Sequence, residues 1–308
     1  MNFMNKKSTT PPVRHSSARA DRNHKAQSSK FKSHKKPNAF IRLLQKLPSW
    51  MWWVGGCAVL AAYIYFFYYF FIGPFGFRFR ALYGDISYPE GYEIHGIDIS
   101  HHQGEIDWQE LRDNGMIDKF PVRFIMIKAT EGATKVDENF IENFYQAREH
   151  GFTRGAYHFY SVYSAAKDQA EFFIKNVELE NGDLPPVLDV EHKPKDQTDE
   201  EFKQSVQLWL NMVEFHYGVK PIIYTYYKFK MKYLNDSIFD SYPYWIAHYY
   251  VDKVEYQGQW KFWQHTDVGK LSGINGYVDF DIYNGSFYDL RKMTIGAREQ
   301  IGEDAYSD

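Results

Sequence analysis

Five acids in this chain are spaced so that they can act together: Asp98, the pair Asp189 and Glu191, and the pair Asp279 and Asp281. Asp189 and Glu191 are two residues apart, so on an extended strand both side chains leave the same face, with Cα atoms roughly 6.5–7 Å apart. Two carboxylates held that way repel each other. Among aromatic neighbours the repulsion is expected to keep one of them protonated near neutral pH, which is what a general acid requires. A protonated acid beside a second carboxylate is the equipment of glycoside hydrolysis, where in some enzymes the substrate's own N-acetyl group replaces the protein nucleophile. Taken singly, an acid at a strand end serves equally well as a cap or an ion-pair partner. The reading therefore rests on their concurrence at alternate positions of separate strands. Aromatic residues at neighbouring strand ends, Tyr157, Phe159, Tyr224, Tyr226, Trp245, Tyr249 and Trp263, offer flat faces for sugar rings, although each alone is an ordinary core residue.

The histidines form a rival constellation: His95, His101, His102, His158, His192, His248 and His265 lie mostly on or beside strands. Clusters of His and Asp do hold divalent ions in hydrolases. Here there is no His-x-His and no His-Glu-x-x-His, and the adjacent His101 and His102 cannot turn both rings to one ion from a regular strand. No metal site is expected. Phosphate-cradling glycine loops and the Gly-x-Ser-x-Gly elbow are absent. The single cysteine, Cys57, excludes an internal disulfide framework and any multi-cysteine zinc site.

Acids at strand ends need strands to carry them. Eight apolar, β-branched or aromatic runs qualify: Glu93–Ser100, Phe124–Ala129, Arg154–Tyr160, Pro186–Glu191, Pro221–Tyr226, Tyr244–Tyr249, Lys261–Gln264 and Val278–Tyr283. Helical patterns fall between several of them, over Trp108–Asn114, Glu138–His150, Ser164–Asn176 and Glu200–Tyr217. The last has Phe202, Val206, Trp209, Leu210 and Val213 on one face. Ser164 and Thr198 or Asp199 are the expected N-caps. Strands alternating with helices predict a mostly parallel sheet covered on its outside, and eight strands predict closure. The fold class is therefore α/β, an irregular TIM-like barrel over residues 93–292. The spacing shortens after Tyr226, so the final crossovers are expected to be incomplete. Residues 293–308 read as a polar tail.

The segment before the barrel has a different character. The formal charge of −3 hides a split: residues 1–49 hold 12 Lys and Arg against one acid, Asp21, giving +11 there and −14 in the remainder. Residues 1–46 are too polar to bury a core and read as a disordered basic tail. From Met51 to Ile72 no charge occurs, a length of roughly 33 Å as a helix, enough for a bilayer core of about 30 Å. Trp50, Trp52 and Trp53 at one end and Tyr68 and Tyr69 at the other suit the headgroup level. A cleaved signal peptide would be shorter and end in small residues, and a buried core helix is the remaining alternative. The expectation is a single uncleaved span over residues 50–72, followed by a linker over 73–92. The excess of basic residues ahead of the span puts the N-terminus in the cytoplasm and the barrel outside it. On that topology the basic tail meets anionic lipid and not nucleic acid.

Several ordered motifs resemble the Chalaropsis-type lysozymes of glycoside hydrolase family 25, N-acetylmuramidases on an irregular β/α barrel. Gly96-Ile97-Asp98-Ile99-Ser100-His101-His102-Gln103-Gly104 resembles the family's opening strand, and Phe124-Ile125-Met126-Ile127-Lys128-Ala129-Thr130-Glu131-Gly132 its second. Gly155-Ala156-Tyr157-His158-Phe159 is similar to the third, and Leu188-Asp189-Val190-Glu191 to its Asp-x-Glu catalytic strand. Ile223-Tyr224-Thr225, Tyr244-Trp245-Ile246-Ala247-His248-Tyr249 and Phe262-Trp263-Gln264 follow in order. The resemblance covers about residues 94–290.

It implies hydrolysis of the β-1,4 bond between N-acetylmuramic acid and N-acetylglucosamine in peptidoglycan strands, without a cofactor. Glu191 would be the general acid/base. Asp189 would orient the substrate's N-acetyl group or, in an older reading, act as nucleophile, and Asp98 and Asp279 would complete an acidic floor. Tyr157, Phe159, Tyr224, Trp245, Tyr249 and Gln264 would bind the glycan. One departure stands out: where the family usually reads Asp-x-Asn, this chain has Asp279-Phe280-Asp281. No cell-wall-binding repeats follow the barrel, and the membrane span would hold the enzyme beside the wall instead. Two alternatives remain open, a catalytically silent glycan-binding envelope protein and a glycosidase for another N-acetylated glycan such as chitin.

Overall fold

A computed structural model of the chain describes residues 48–68, 86 and 88–297. The expected basic tail, most of the expected linker and the end of the C-terminal tail lie outside the described residues. The chain divides into two units, Met1–Tyr65 and Phe66–Asp308. Helix α1 (Ser49–Phe67) has 19 residues, a mean hydropathy of 1.4 and none of its most apolar stretch buried. It is apolar all round, the character of a helix made to be surrounded by apolar material. The expected span ran on to residue 72, of which 69–72 lie outside the described residues.

The larger unit is a closed barrel. Strands β1 (Ile94–Ile99), β3 (Phe120–Glu131), β5 (Thr153–Phe159), β6 (Val187–Asp189), β7 (Ile222–Tyr226), β8 (Tyr244–Ala247), β9 (Trp260–Gly269) and β10 (Val278–Tyr283) pair in that order, and β10 and β3 both pair with β1. Two short strands, β2 (Met116–Ile117) and β4 (Lys135–Val136), attach to β3. Every expected strand is present. All neighbours in the barrel run parallel except β10, which is antiparallel to both β9 and β1. The expected shortening of the last crossovers thus becomes an inversion. Residues 270–277 are too few for a crossover of a dozen or more, so the chain turns back on itself.

Helices α2 (Trp108–Asn114), α3 (Phe140–Glu149), α4 (Ala166–Asn176) and α5 (Asp199–Tyr217) fill the expected intervals. Two more, α6 (Tyr227–Tyr233) and α7 (Phe287–Met293), were not expected. Thr198 caps α5 as predicted: its hydroxyl accepts from Glu201 N, and Glu201 reaches back to Thr198 N. Ser164 does not cap α4. That helix starts at Ala166, and the Ser164 carbonyl instead accepts from the Gln169 amide at 2.8 Å.

Strand alternation sorts the core into two layers. Outward residues such as Ile97, Ile125, Ile127, Leu188, Ile223, Ile246 and Phe280 pack under the helices against Phe173, Phe202, Trp209 and Leu210. Inward residues Phe124, Met126, Val187, Ile222, Phe262 and Tyr283 fill the lower interior. Gly96 leaves the space that Phe124 occupies, because a Cβ there would lie 2.5 Å from the Phe124 ring. Above this apolar plug the inward positions turn polar.

Candidate active site

The last inward positions of the parallel strands meet at one end of the barrel. Asp98 of β1, Tyr157 and Phe159 of β5, Asp189 of β6, Tyr224 of β7, Trp245 of β8 and Gln264 of β9 line a cavity of about 210 Å³. Glu191, two residues beyond β6, and Tyr249, beyond β8, complete it. Asp279 also reaches it, but from the start of its strand: on the inverted β10 it sits opposite Asp98. The ten residues to which the resemblance gave catalytic or glycan-binding roles all line this one cavity. Four others line it: Tyr226, which the sequence offered as a flat face for sugar rings, and Ser100, His102 and Lys128, which were not placed in the site.

Glu191 keeps the parity of Asp189 because the ladder continues past the strand. Val190 N donates to Tyr224 O at 3.0 Å, and Thr225 Oγ1 donates to Val190 O at 2.6 Å. The two carboxyls meet in a hydrogen bond that requires a proton between them. Burial pushes Glu191 up, and pushes Asp189 well up with the Glu191 charge adding to it. The pair therefore titrates as a unit and keeps a proton above the usual carboxylate range. Lys128 pulls both down but only in part; its ammonium is also held by Glu131 at 2.7 Å and lies 4.9 Å from the Phe159 ring centre.

Gln264 organises the opposite side of the floor. Its Oε1 accepts the hydroxyls of Tyr224 (2.7 Å) and Tyr249 (2.6 Å), which turns its amide nitrogen to Asp98 Oδ2 (2.6 Å) and Asp279 Oδ2 (3.3 Å). Both acids are raised, by burial first and then by neighbouring carboxyls: Asp98 well up, Asp279 to about 9. The Trp245 ring packs at 4.4 Å on Tyr224, and its indole N–H donates to Asp281 Oδ1 at 2.7 Å. A second, mostly aromatic cavity of about 590 Å³ shares Glu191, Tyr226 and Tyr249 with the first and extends along α6 to His248 and Val251.

Other sequence candidates lie elsewhere. Trp263 points outward and donates to the His248 carbonyl at 2.7 Å, so it is no sugar platform. The histidines disperse. His158 is buried outside the barrel wall between Thr130 (2.7 Å) and Gln169 (3.1 Å), stacked on Trp209 and lowered by burial to about 4. His101 bonds Asp137 at 2.6 Å, and His95 stacks on Phe120. Lys128 was hidden in an apolar run; its inward parity was the signal available.

A closed eight-stranded barrel with an acidic floor and aromatic walls is the architecture of a carbohydrate-cleaving enzyme, and the comparisons agree. Residues 97–274 match the glycosyl hydrolases family 25. The chain belongs to that family and is a glycoside hydrolase. YegX of Escherichia coli (strain K12) is 44% identical over 218 residues, 70% of this chain and 78% of that protein. Lysozyme M1 of Streptomyces globisporus is 33% identical over 208 residues, 63% of this chain and 68% of its own length. A family 25 glycosyl hydrolase structure from Bacillus anthracis superposes with a TM-score of 0.62 at 32% identity, covering 69% of this chain and 98% of that one.

Proposed function

We propose that this chain hydrolyses the β-1,4 bond between N-acetylmuramic acid and N-acetylglucosamine in peptidoglycan. The observation that carries the reading is the convergence of Asp98, Asp189, Glu191 and Asp279 on one cavity with aromatic walls, in a chain akin to Lysozyme M1. Glu191 protonates the departing glycosidic oxygen and then takes a proton from the incoming water. It is the less buried of the proton-sharing pair, on the side continuous with the larger aromatic cavity, where the departing part of the strand has room. Asp189 orients the N-acetyl group of the reacting sugar and stabilises the charge that develops as its carbonyl oxygen closes on the anomeric carbon. Asp98 and Asp279, held by Gln264, form the floor under that sugar. Tyr157, Phe159, Tyr224, Trp245 and Tyr249 supply its walls. No metal or organic cofactor enters this chemistry.

The chain is organised as a basic cytoplasmic tail (1–46), a span (50–72), a linker (73–92), a catalytic barrel (93–292) and a polar tail (293–308). The support for the anchor is the unburied apolar helix α1 behind a segment of net charge +11. The barrel then acts outside the cytoplasm, on the glycan strands of the wall.

The test is digestion of purified peptidoglycan by the full chain in detergent, with the new reducing ends reduced and identified. Muramic acid ends are expected. Glucosamine ends, release from chitin alone, or no release from either glycan would overturn the reading.

A further inference from the structure

Asp281 is a carboxyl that the mechanism above does not use. It is fully buried, one inward position below Asp279 on β10, opposite the bare backbone of Gly96 on β1 and Gln264 on β9. Trp245 Nε1 satisfies Oδ1 at 2.7 Å. Among the described residues Oδ2 finds no N–H or side-chain hydroxyl. What it meets is the carboxyl of Asp98, itself 8% exposed and already accepting the Gln264 amide. That amide cannot turn to offer its oxygen instead, because two tyrosine hydroxyls hold the oxygen in place.

Two carboxyls in contact make a bond only with a proton between them, and without one they are two buried charges that repel. Among the described residues no cation relieves them. The charged and titratable groups around the pair are Asp279 on the same strand, whose carboxyl also reaches Asp98, Asp189 of β6 with Glu191 beyond it, and Tyr157, Tyr224 and Tyr249, whose hydroxyls feel the Asp98 charge. Lys128 is nearer the Asp189 pair and is bonded to Glu131.

We propose that Asp281 is a positioning residue that shares one proton with Asp98, and that this carboxyl–carboxyl bond holds Asp98 in the catalytic floor with a single negative charge for the pair. Trp245 fixes Asp281 from one side and Gln264 fixes Asp98 from the other, so the proton between them closes a chain running from Trp245 to Tyr224 and Tyr249. The proposal rests on the reading that Asp98 belongs to the catalytic floor.

The Asp281→Asn variant tests it. Its amide oxygen accepts from Trp245 and its N–H donates to Asp98 at every pH. Infrared spectra at neutral pH, taken without substrate, are expected to lose one protonated-carboxyl carbonyl band in Asp281→Asn relative to the parent. On peptidoglycan, Asp281→Asn is expected to keep kcat within about threefold and to carry activity at least one pH unit or so further into the alkaline range. Asp281→Ala is expected to lose about tenfold or more in kcat with KM little changed. An unchanged carbonyl band in Asp281→Asn would overturn the proposal, and so would an unshifted alkaline limb or an Asp281→Ala variant as active as the parent. Should the parent cleave no peptidoglycan, the infrared measurement still decides the shared proton, separately from the muramidase reading. It does the same should Asp281→Ala fail to fold.

Discussion

Each acid of the floor is held by different neighbours, and those neighbours set what its substitution does. Glu191→Gln removes the transferable proton while keeping the shape of the side chain. Turnover is expected to vanish while glycan binding, measured by co-sedimentation with insoluble peptidoglycan, persists; hydrolysis by this variant would reject Glu191 as the acid/base. Asp189→Asn is expected to lose about tenfold or more in kcat, within the range of a single positioned carboxyl. Asp279 yields a prediction about stability. Its folded value is about 9 against an ordinary 3.8, so between those values the folded chain holds a proton that the unfolded chain has released. Its contribution is whole below about pH 3.8 and is lost as the pH climbs through about 9. Asp279→Asn, which has no proton to lose, is expected to melt above the parent at pH 8, with the gap closing toward pH 4. A gap independent of pH would show that Asp279 is ionised in the folded chain. Such a gain in stability at the expense of activity is the usual trade at a functional site.

At the level of elements, the barrel was legible in the sequence because eight short apolar runs alternate with longer amphipathic stretches. Asp189 and Glu191 could be put on one face by counting in twos along an apolar run, whereas Gln264 was placed only by the motif resemblance. Direction was not legible: Val278–Tyr283 alternates identically read either way, so nothing in it announced that β10 runs against its neighbours. Asp279 was assigned to the site without the reason it reaches it. Helix α6 was missed because Tyr227-Lys228-Phe229-Lys230-Met231-Lys232-Tyr233 alternates with period two and imitates a strand. Trp263 was weighed as a sugar platform, although Gln264, its neighbour, takes the inward place. Two substitutions probe the elements themselves. Gly96→Ala drives a methyl to 2.5 Å from the Phe124 ring, which is fully buried and packed against Phe262 at 5.2 Å. It is expected to cost about 1–3 kcal/mol in urea unfolding of the larger unit, and parental stability would mean that β1 yields where the packing says it cannot. Thr198→Ala, which removes an exposed capping bond at the start of α5 from a residue that does not line the cavity, is expected to cost about 1 kcal/mol with kcat unchanged.

For the whole molecule, the division of charge and the apolar helix make topology testable. Protease added outside intact spheroplasts is expected to remove the barrel and spare residues before Ser49; protection of the barrel would put it on the cytoplasmic side and remove it from its proposed substrate. A more general consequence follows from the inverted last strand. Because β10 runs back, the barrel begins and ends side by side: Ile94, first in β1, is paired with Tyr283, last in β10, at the end away from the acidic cavity. The loop bridging β9 and β10 joins the other strand-end loops at the cavity end, and the first and last residues of the barrel do not. A short connection joining residue 283 to residue 94, with new termini opened in the loop before β7, would give a circular permutant with its catalytic mouth untouched. By the same geometry a cargo protein joined after α7 would hang from the barrel's base, so the scaffold accepts attachments at both ends without competing for the glycan.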